Sequence, residues 1–135
     1  MYSTQTDIEN RLTLDELKLL AGDPVETAKI TKAITDADAL INSYMGKLYQ
    51  VPVSPVPAVV ANVSAEEAIY NLYGLRRRVP EYWENRHKDN LSWLAKVAKG
   101  QVSLGIEPVP ASGAGGKPEF SSEDKIFDRE SMKDY

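Results

Sequence analysis

The stretch VETAKITKAITDADALINSYMGKL, residues 25–48, carries the clearest helical pattern in the chain. Its large apolar residues recur at steps of three and four, while lysines and aspartates fall elsewhere; they are Ile30, Ile34, Ala37, Ile41, Tyr44 and Leu48. This spacing matches the period of an α-helix with one apolar face. Because such a face needs a partner to bury it, the stretch predicts a long helix inside a helical bundle.

The residues upstream predict a helical N-terminal segment at residues 4–21. Thr13 is followed three residues later by Glu16, which is the spacing of a capping box at a helix start. Gly22 then predicts the helix end. We therefore expect one or two short helices before the long one.

Two further long helices are predicted after a proline-rich break at residues 50–57. Pro57 suits the first position of a helix that runs to about Leu75, and Pro80 suits the start of a helix that ends at Gly100. The apolar faces predicted for them are Val59, Val63, Tyr70 and Tyr73 for the first, and Trp83, His87, Leu91, Leu94 and Ala98 for the second. The predicted fold class is all-α, a small bundle of about three long helices with an N-terminal helical segment.

The composition changes near residue 105, which predicts a helical domain at 1–105 and a linker with a C-terminal arm at 106–135. The run PVPASGAGGKP, residues 108–118, is typical of a flexible linker. The arm beyond it is charged, yet it keeps large apolar residues that an inert tail would not need. We therefore predict a partner-binding segment carried by Phe120, Ile126, Phe127, Arg129, Met132 and Tyr135.

Few of the features that catalysis requires occur in this sequence. The 135 residues fit one domain and include no cysteine and one histidine, which excludes thiolate chemistry and histidine pairs. No nucleophile elbow or phosphate loop is present. The adjacent carboxylates Glu66 and Glu67 point to different helix faces and are expected to be solvated. The sequence predicts a protein that is not an enzyme, with no cofactor, no metal site and no membrane-spanning segment.

Charge is divided along the chain, although its net value is only −4. Residues 75–99 carry seven basic and three acidic groups between acidic flanks, a pattern that suits contacts between subunits that weaken as salt rises. The cluster Arg76, Arg77 and Arg78 falls at a predicted helix end, where cations meet the negative end of the helix dipole. It could also form a subunit ion pair, and binding to phosphate is the third interpretation.

Several passages together resemble a known family of phage proteins. They are the opening MYSTQTDIENR, the passage INSYMGKLYQVPV with the later VPAVV, the passage LAKVAKGQVSLGI, and the ending from Phe127 to Tyr135. In this order they are similar to the Mu-like phage head–tail connector, or neck adaptor, family of small structural proteins.

The resemblance implies a virion protein of the neck, made in the cytoplasm of the bacterial host and without catalytic activity. It also implies a homo-oligomer, with a dodecameric ring as one arrangement, that contacts the portal and other neck or tail proteins. No specific nucleic-acid binding and no membrane partner are expected. The alternative is a small all-α DNA-binding or packaging regulator that uses Arg76, Arg77 and Arg78, although no short basic recognition helix is visible.

Overall fold

The computed structural model describes residues 1–109, and residues 110–135 lie outside the described part of the chain. Within residues 1–109 there are five helices and no strand. The helices are α1 (Gln5–Glu9), α2 (Leu14–Ala21), α3 (Thr27–Met45), α4 (Ala58–Leu75) and α5 (Glu81–Ala98). The predicted all-α class, with three long helices and an N-terminal helical segment, is confirmed.

The three long helices run antiparallel in chain order and bury two apolar clusters. One cluster joins α1, α2, the start of α3, the end of α4 and the start of α5, around Ile8, Ile34 and Leu72. The other joins the end of α3, the proline-rich loop, the start of α4 and the end of α5, around Met45 and Leu94. The bundle therefore has two distinct ends, each with its own apolar core.

The predicted apolar face of α3 is largely right. Ile30, Ile34, Ala37 and Ile41 are all buried, whereas Tyr44 and Leu48 are only half-buried and Met45 fills the core at that level. Met45 lies one four-residue step after Ile41 on the same side of the helix, so the buried face ends at Met45 and not at Tyr44.

The predicted face of α4 is wrong in part. Val59 is 41% exposed and Tyr70 is half-buried, although Val63 and Tyr73 are buried as expected. Because the other four helices all pack against α4, it buries a broad surface that a single stripe cannot describe. The residues of that surface are Val60, Val63, Ser64, Ala65, Glu67, Ala68, Ile69, Leu72 and Tyr73.

The face of α5 is predicted correctly at Trp83 and Leu94, which are buried. His87, Leu91 and Ala98 are half-buried, while the buried set also includes Asn90 and Val97. The face differs because α5 meets polar side chains of α4 at its centre.

The helix ends follow the predicted capping chemistry closely. Thr13 and Glu16 form the predicted capping box, and Gly22 is the C-cap with a φ of 93°. Pro57 and Pro80 are the N-cap residues of α4 and α5, one position before the predicted place.

The opening residues fix the N-terminus to the bundle. Tyr2 is buried, and its hydroxyl pairs with Asn42 and accepts a hydrogen bond from Val53 N at 2.8 Å. Thr4 caps α1 in a second capping box, with Asp7 as its partner. The opening residues MYSTQTDIENR, which contribute to the family resemblance, thus make contacts that stabilise the fold.

The chain after α5 returns along the second cluster. Gly100 and Gly105 both have positive φ, 77° and 79°, a conformation in which glycine carries no side-chain penalty. Leu104 is buried, and Val109 N donates a hydrogen bond to Leu48 O at 2.7 Å. The last described residue therefore lies at the end of the bundle where α3 ends. Among the described helices, none has both the length and the apolar character needed to cross a membrane.

Candidate functional site

Two features stand out from the otherwise ordinary helical bundle, and the first is a polar cluster between α4 and α5, in which Glu67 and Asn90 are buried and the other members are half-buried. The polar cluster consists of Glu66, Glu67, Arg86, His87 and Asn90. The side chain of Glu67 is only 1% exposed. Its Oε1 lies 2.7 Å from His87 Nδ1, and its Oε2 accepts a hydrogen bond from Asn90 Nδ2 at 3.2 Å. Glu66 Oε1 accepts hydrogen bonds from Arg86 Nη2 at 3.0 Å and from Asn90 Nδ2 at 3.2 Å.

The expectation that Glu66 and Glu67 are solvated is wrong. Helix α5 covers that part of α4, and the imidazole of His87 stacks on the ring of Tyr70 with centroids 3.9 Å apart. A signal was present in the sequence, because Val60, Ser64 and Glu67 follow one another at helical steps and all three are buried.

The chemistry of the polar cluster fits cohesion between two helices. Both oxygens of Glu67 are engaged with side chains of α5, so the carboxylate couples the two helices directly. Within residues 1–109 there is no group of three or more His, Cys, Asp or Glu side chains that could hold a metal ion.

Burial raises the pKa of the Glu67 carboxyl above its ordinary value of 4.5, and hydrogen bonds from Asn90 and His87 oppose that effect only in part. The folded chain therefore holds this proton more tightly than the unfolded chain does. The contribution of Glu67 to stability is greatest below the unfolded-state pKa and declines as pH rises through the folded-state pKa.

We predict that Glu67→Gln removes this pH dependence. As pH rises from the ordinary carboxyl value of 4.5 through the higher folded-state pKa of Glu67, the free energy of unfolding of the wild type should fall relative to that of the variant. Urea unfolding, monitored by circular dichroism at several pH values, measures the free energy of unfolding of each protein. Glu84→Gln, at an exposed position of α5, is the matched control. Parallel pH profiles for wild type and Glu67→Gln would show that burial does not shift this carboxyl.

The second feature is a surface groove of about 450 Å³ at the end of the bundle where α4 ends. This arginine groove is lined by Leu19, Tyr73, Arg76, Arg78, Val79 and Pro80. Leu19 is 51% exposed. Leu75, which precedes Arg76 in the chain but lines a separate surface pocket beside α3, is 68% exposed. Burial is the main reason that the pKa of Tyr73 is raised to about 12, and the nearby Glu16 carboxylate adds to the effect. The hydroxyl of Tyr73 therefore stays protonated and donates a hydrogen bond to Glu16.

The structure places the three predicted arginines directly after α4. Arg76 is its C-cap residue, Arg77 has a positive φ of 58°, and all three are exposed. The cluster lies at the carboxyl end of α4, whereas the hydrogen bond that Arg76 Nη1 donates goes to the backbone oxygen of Leu19, in the last turn of α2, at 3.3 Å. Among the described residues, none of the three forms an ion pair within the chain.

The other predicted partner-binding residues belong to the C-terminal arm and lie outside the described residues: Phe120, Ile126, Phe127, Arg129, Met132 and Tyr135. Sequence reasoning found the arginines but missed Leu19 and Leu75. Neither leucine belongs to an apolar face predicted from the sequence, and only the tertiary arrangement shows that both side chains are exposed.

The chain is similar to proteins of phage Mu and its relatives. Residues 2–120 match the family model described as Bacteriophage Mu, Gp36. The chain is 32% identical over 110 residues to the Mu-like prophage FluMu protein gp36 of Haemophilus influenzae, an alignment covering 78% of this chain and 77% of that protein. It is 25% identical over 136 residues to gene product J of Escherichia phage Mu, covering 95% of this chain and 94% of that protein. The chain therefore belongs to the Gp36 family of Mu-like phage proteins.

Proposed function

We propose that this chain is a structural component of the virion at the junction between head and tail, and that it acts without catalysis. In this proposal its subunits contact one another in a ring against the portal. Membership of a Mu-like phage family supports a role in building the particle. The polar cluster supports a non-catalytic role, because both oxygens of the Glu67 carboxylate already contact side chains of the neighbouring helix α5.

The observation that carries the proposal is the arginine groove. Large apolar side chains that stay exposed beside cations are typical of protein contact surfaces, where arginine is enriched. The exposed Leu19 lines the groove together with Arg76 and Arg78 at one end of the helical body. A surface of this kind suits a subunit or a neighbouring virion protein better than a small substrate.

Electron microscopy of lysates tests the proposal. A phage or prophage that encodes this chain is given an early stop codon in its gene and then induced. We expect filled heads and complete tails that remain separate, and we expect wild-type protein supplied from a plasmid to restore joined particles. Joined, infectious particles in the absence of the protein would contradict the proposal.

DNA binding separates the junction protein from the alternative, a DNA-binding or packaging regulator, which should bind duplex DNA tightly. Because the chain is acidic overall, with a net charge of −4, we expect no tight binding to duplex DNA at physiological salt. A gel-shift titration measures this binding. Sub-micromolar affinity that is weakened by combining Arg76→Ala with Arg77→Ala would favour the regulator over the junction protein.

A further inference from the structure

We propose that the arginine groove binds the C-terminal segment, residues 119–135, of a neighbouring copy of this chain. The inference rests on the proposed function, because it specifies the contact between subunits of the ring. It combines the chemistry of the groove, the chemistry of the segment, and the distance between the groove and the last described residue.

The groove offers both apolar and cationic groups to an occupant. Its apolar lining consists of Leu19, Val79 and Pro80, and its cationic lining consists of the exposed Arg76 and Arg78. Arginine side chains pair well with carboxylates and also cover apolar surface with their stems. An occupant should therefore be apolar and acidic at the same time.

The C-terminal segment has that composition. Residues 119–135 carry six acidic and three basic groups, for a net charge of −3. The acidic groups alternate with five large apolar residues, namely Phe120, Ile126, Phe127, Met132 and Tyr135. Residues 75–99, which include the arginine cluster, are in contrast strongly basic. The charges of the groove and of the segment are complementary.

Distance favours a neighbour's segment over the chain's own. Val109 is hydrogen-bonded to Leu48, beyond the end of α3, whereas the arginines follow the end of the antiparallel helix α4. Helix α4 has 18 residues, so the two places are separated by about 27 Å of helix. Residues 110–119 reach roughly 35 Å at full extension, but a flexible coil of that length averages only about 17 Å. Docking of residue 119 within one chain would therefore stretch the linker beyond its average length, to about three-quarters of its full extension.

The opposite placement of groove and arm suits a head-to-tail contact between copies. When an arm that leaves one end of a body binds the other end of the next body, the interface is heterologous, and such interfaces generate closed rings when the rotation between subunits closes. Reciprocal exchange of arms between two antiparallel bodies would instead give a two-fold dimer. The ring follows from the proposed function, and the placement of groove and arm agrees with it.

Photo-crosslinking of the full-length protein tests the inference. Leu19 is replaced with p-benzoylphenylalanine, and the purified variant is mixed with unsubstituted wild type labelled with ¹⁵N. The same substitution at Val56, an exposed apolar residue in the loop at the other end of the bundle, is the matched control. We expect mass spectrometry to find cross-links from position 19 of the variant to residues 119–135 of the labelled chain. The control at position 56 should give few of them.

Two results would overturn the inference. One is that position 19 cross-links only to the segment of its own chain. The other is a yield of mixed cross-links no higher than that of the Val56 control, in both purified protein and assembled particles. Charge reversal gives a second test. Arg76→Glu with Arg78→Glu should lower the yield of mixed cross-links roughly ten-fold, because attractive contacts become like-charge contacts. Adding Glu123→Lys and Asp124→Lys should restore much of that yield.

The two proposals can fail separately. If mixed cross-links form but heads and tails join without the protein, the contact between copies stands and the junction role fails. If joining requires the protein but the mixed cross-links are absent, the junction role stands and the arginine groove has another occupant.

Discussion

Deletion of residues 119–135 should abolish the joining of heads to tails while leaving the isolated body as stable as before. Among residues 1–109, two apolar clusters already join all five helices, so we expect the helical body to fold without the segment. Burial of one side chain such as Phe127 is worth roughly 1.5–3 kcal/mol. Several such groups docking on a neighbour could therefore offset the cost of ordering the arm, and their loss should remove most of the contact.

Two measurements separate assembly from folding. Thermal unfolding followed by circular dichroism should show a melting temperature within about 3 °C of the wild type, the range of a surface change. Complementation of a phage that lacks the protein should yield unjoined heads and tails. A matched control keeps the chain length and replaces the large apolar residues of the segment with serine, and it should behave like the deletion. A large fall in melting temperature would show instead that the segment is part of the body's own core.

The second large effect is expected at the polar cluster. Glu67→Ala should lower the free energy of unfolding by about 3 kcal/mol, because it leaves a cavity and removes the partner of His87 and one partner of Asn90 in a buried site. For a body of this size the melting temperature should fall by roughly 10–20 °C. Urea or thermal unfolding of the purified variant measures the change.

Glu84→Ala on the exposed face of α5 is the matched control, and it should change stability by no more than about 0.5 kcal/mol. Glu67→Gln should be milder than Glu67→Ala, because it keeps the volume and one accepting oxygen. If Glu67→Ala is no more destabilising than Glu84→Ala, the polar cluster does not hold α5 against α4.

Much of the fold could be predicted because local chemistry and packing agree. The capping box of Thr13 and Glu16, the glycine stop at Gly22 and the proline starts of α4 and α5 are local rules that need no tertiary context. The face of α3 was predictable because this helix presents a single apolar stripe to the rest of the bundle. The predicted boundary at residue 105 remains a prediction.

The central helix and the polar cluster could not be predicted in the same way. Periodicity identifies a helix that buries one face, but α4 contacts all four other helices, and the residues that it buries include a glutamate. Glu67 can be buried only because His87 and Asn90 lie opposite it on α5, some 20 and 23 positions along the chain. No local rule encodes that pairing. The exposed state of Leu19 and Leu75 is likewise a property of the assembled bundle.

Cryo-electron microscopy of purified virions that contain this chain tests the junction role most directly. We expect density at the head–tail junction that fits repeated copies of the five-helix body of residues 1–109, arranged as a ring about the particle axis against the portal. Mass spectrometry of the same particles should detect the chain as a virion protein. Infectious virions that lack the chain, or density for it at another place in the particle, would contradict a structural role at the junction.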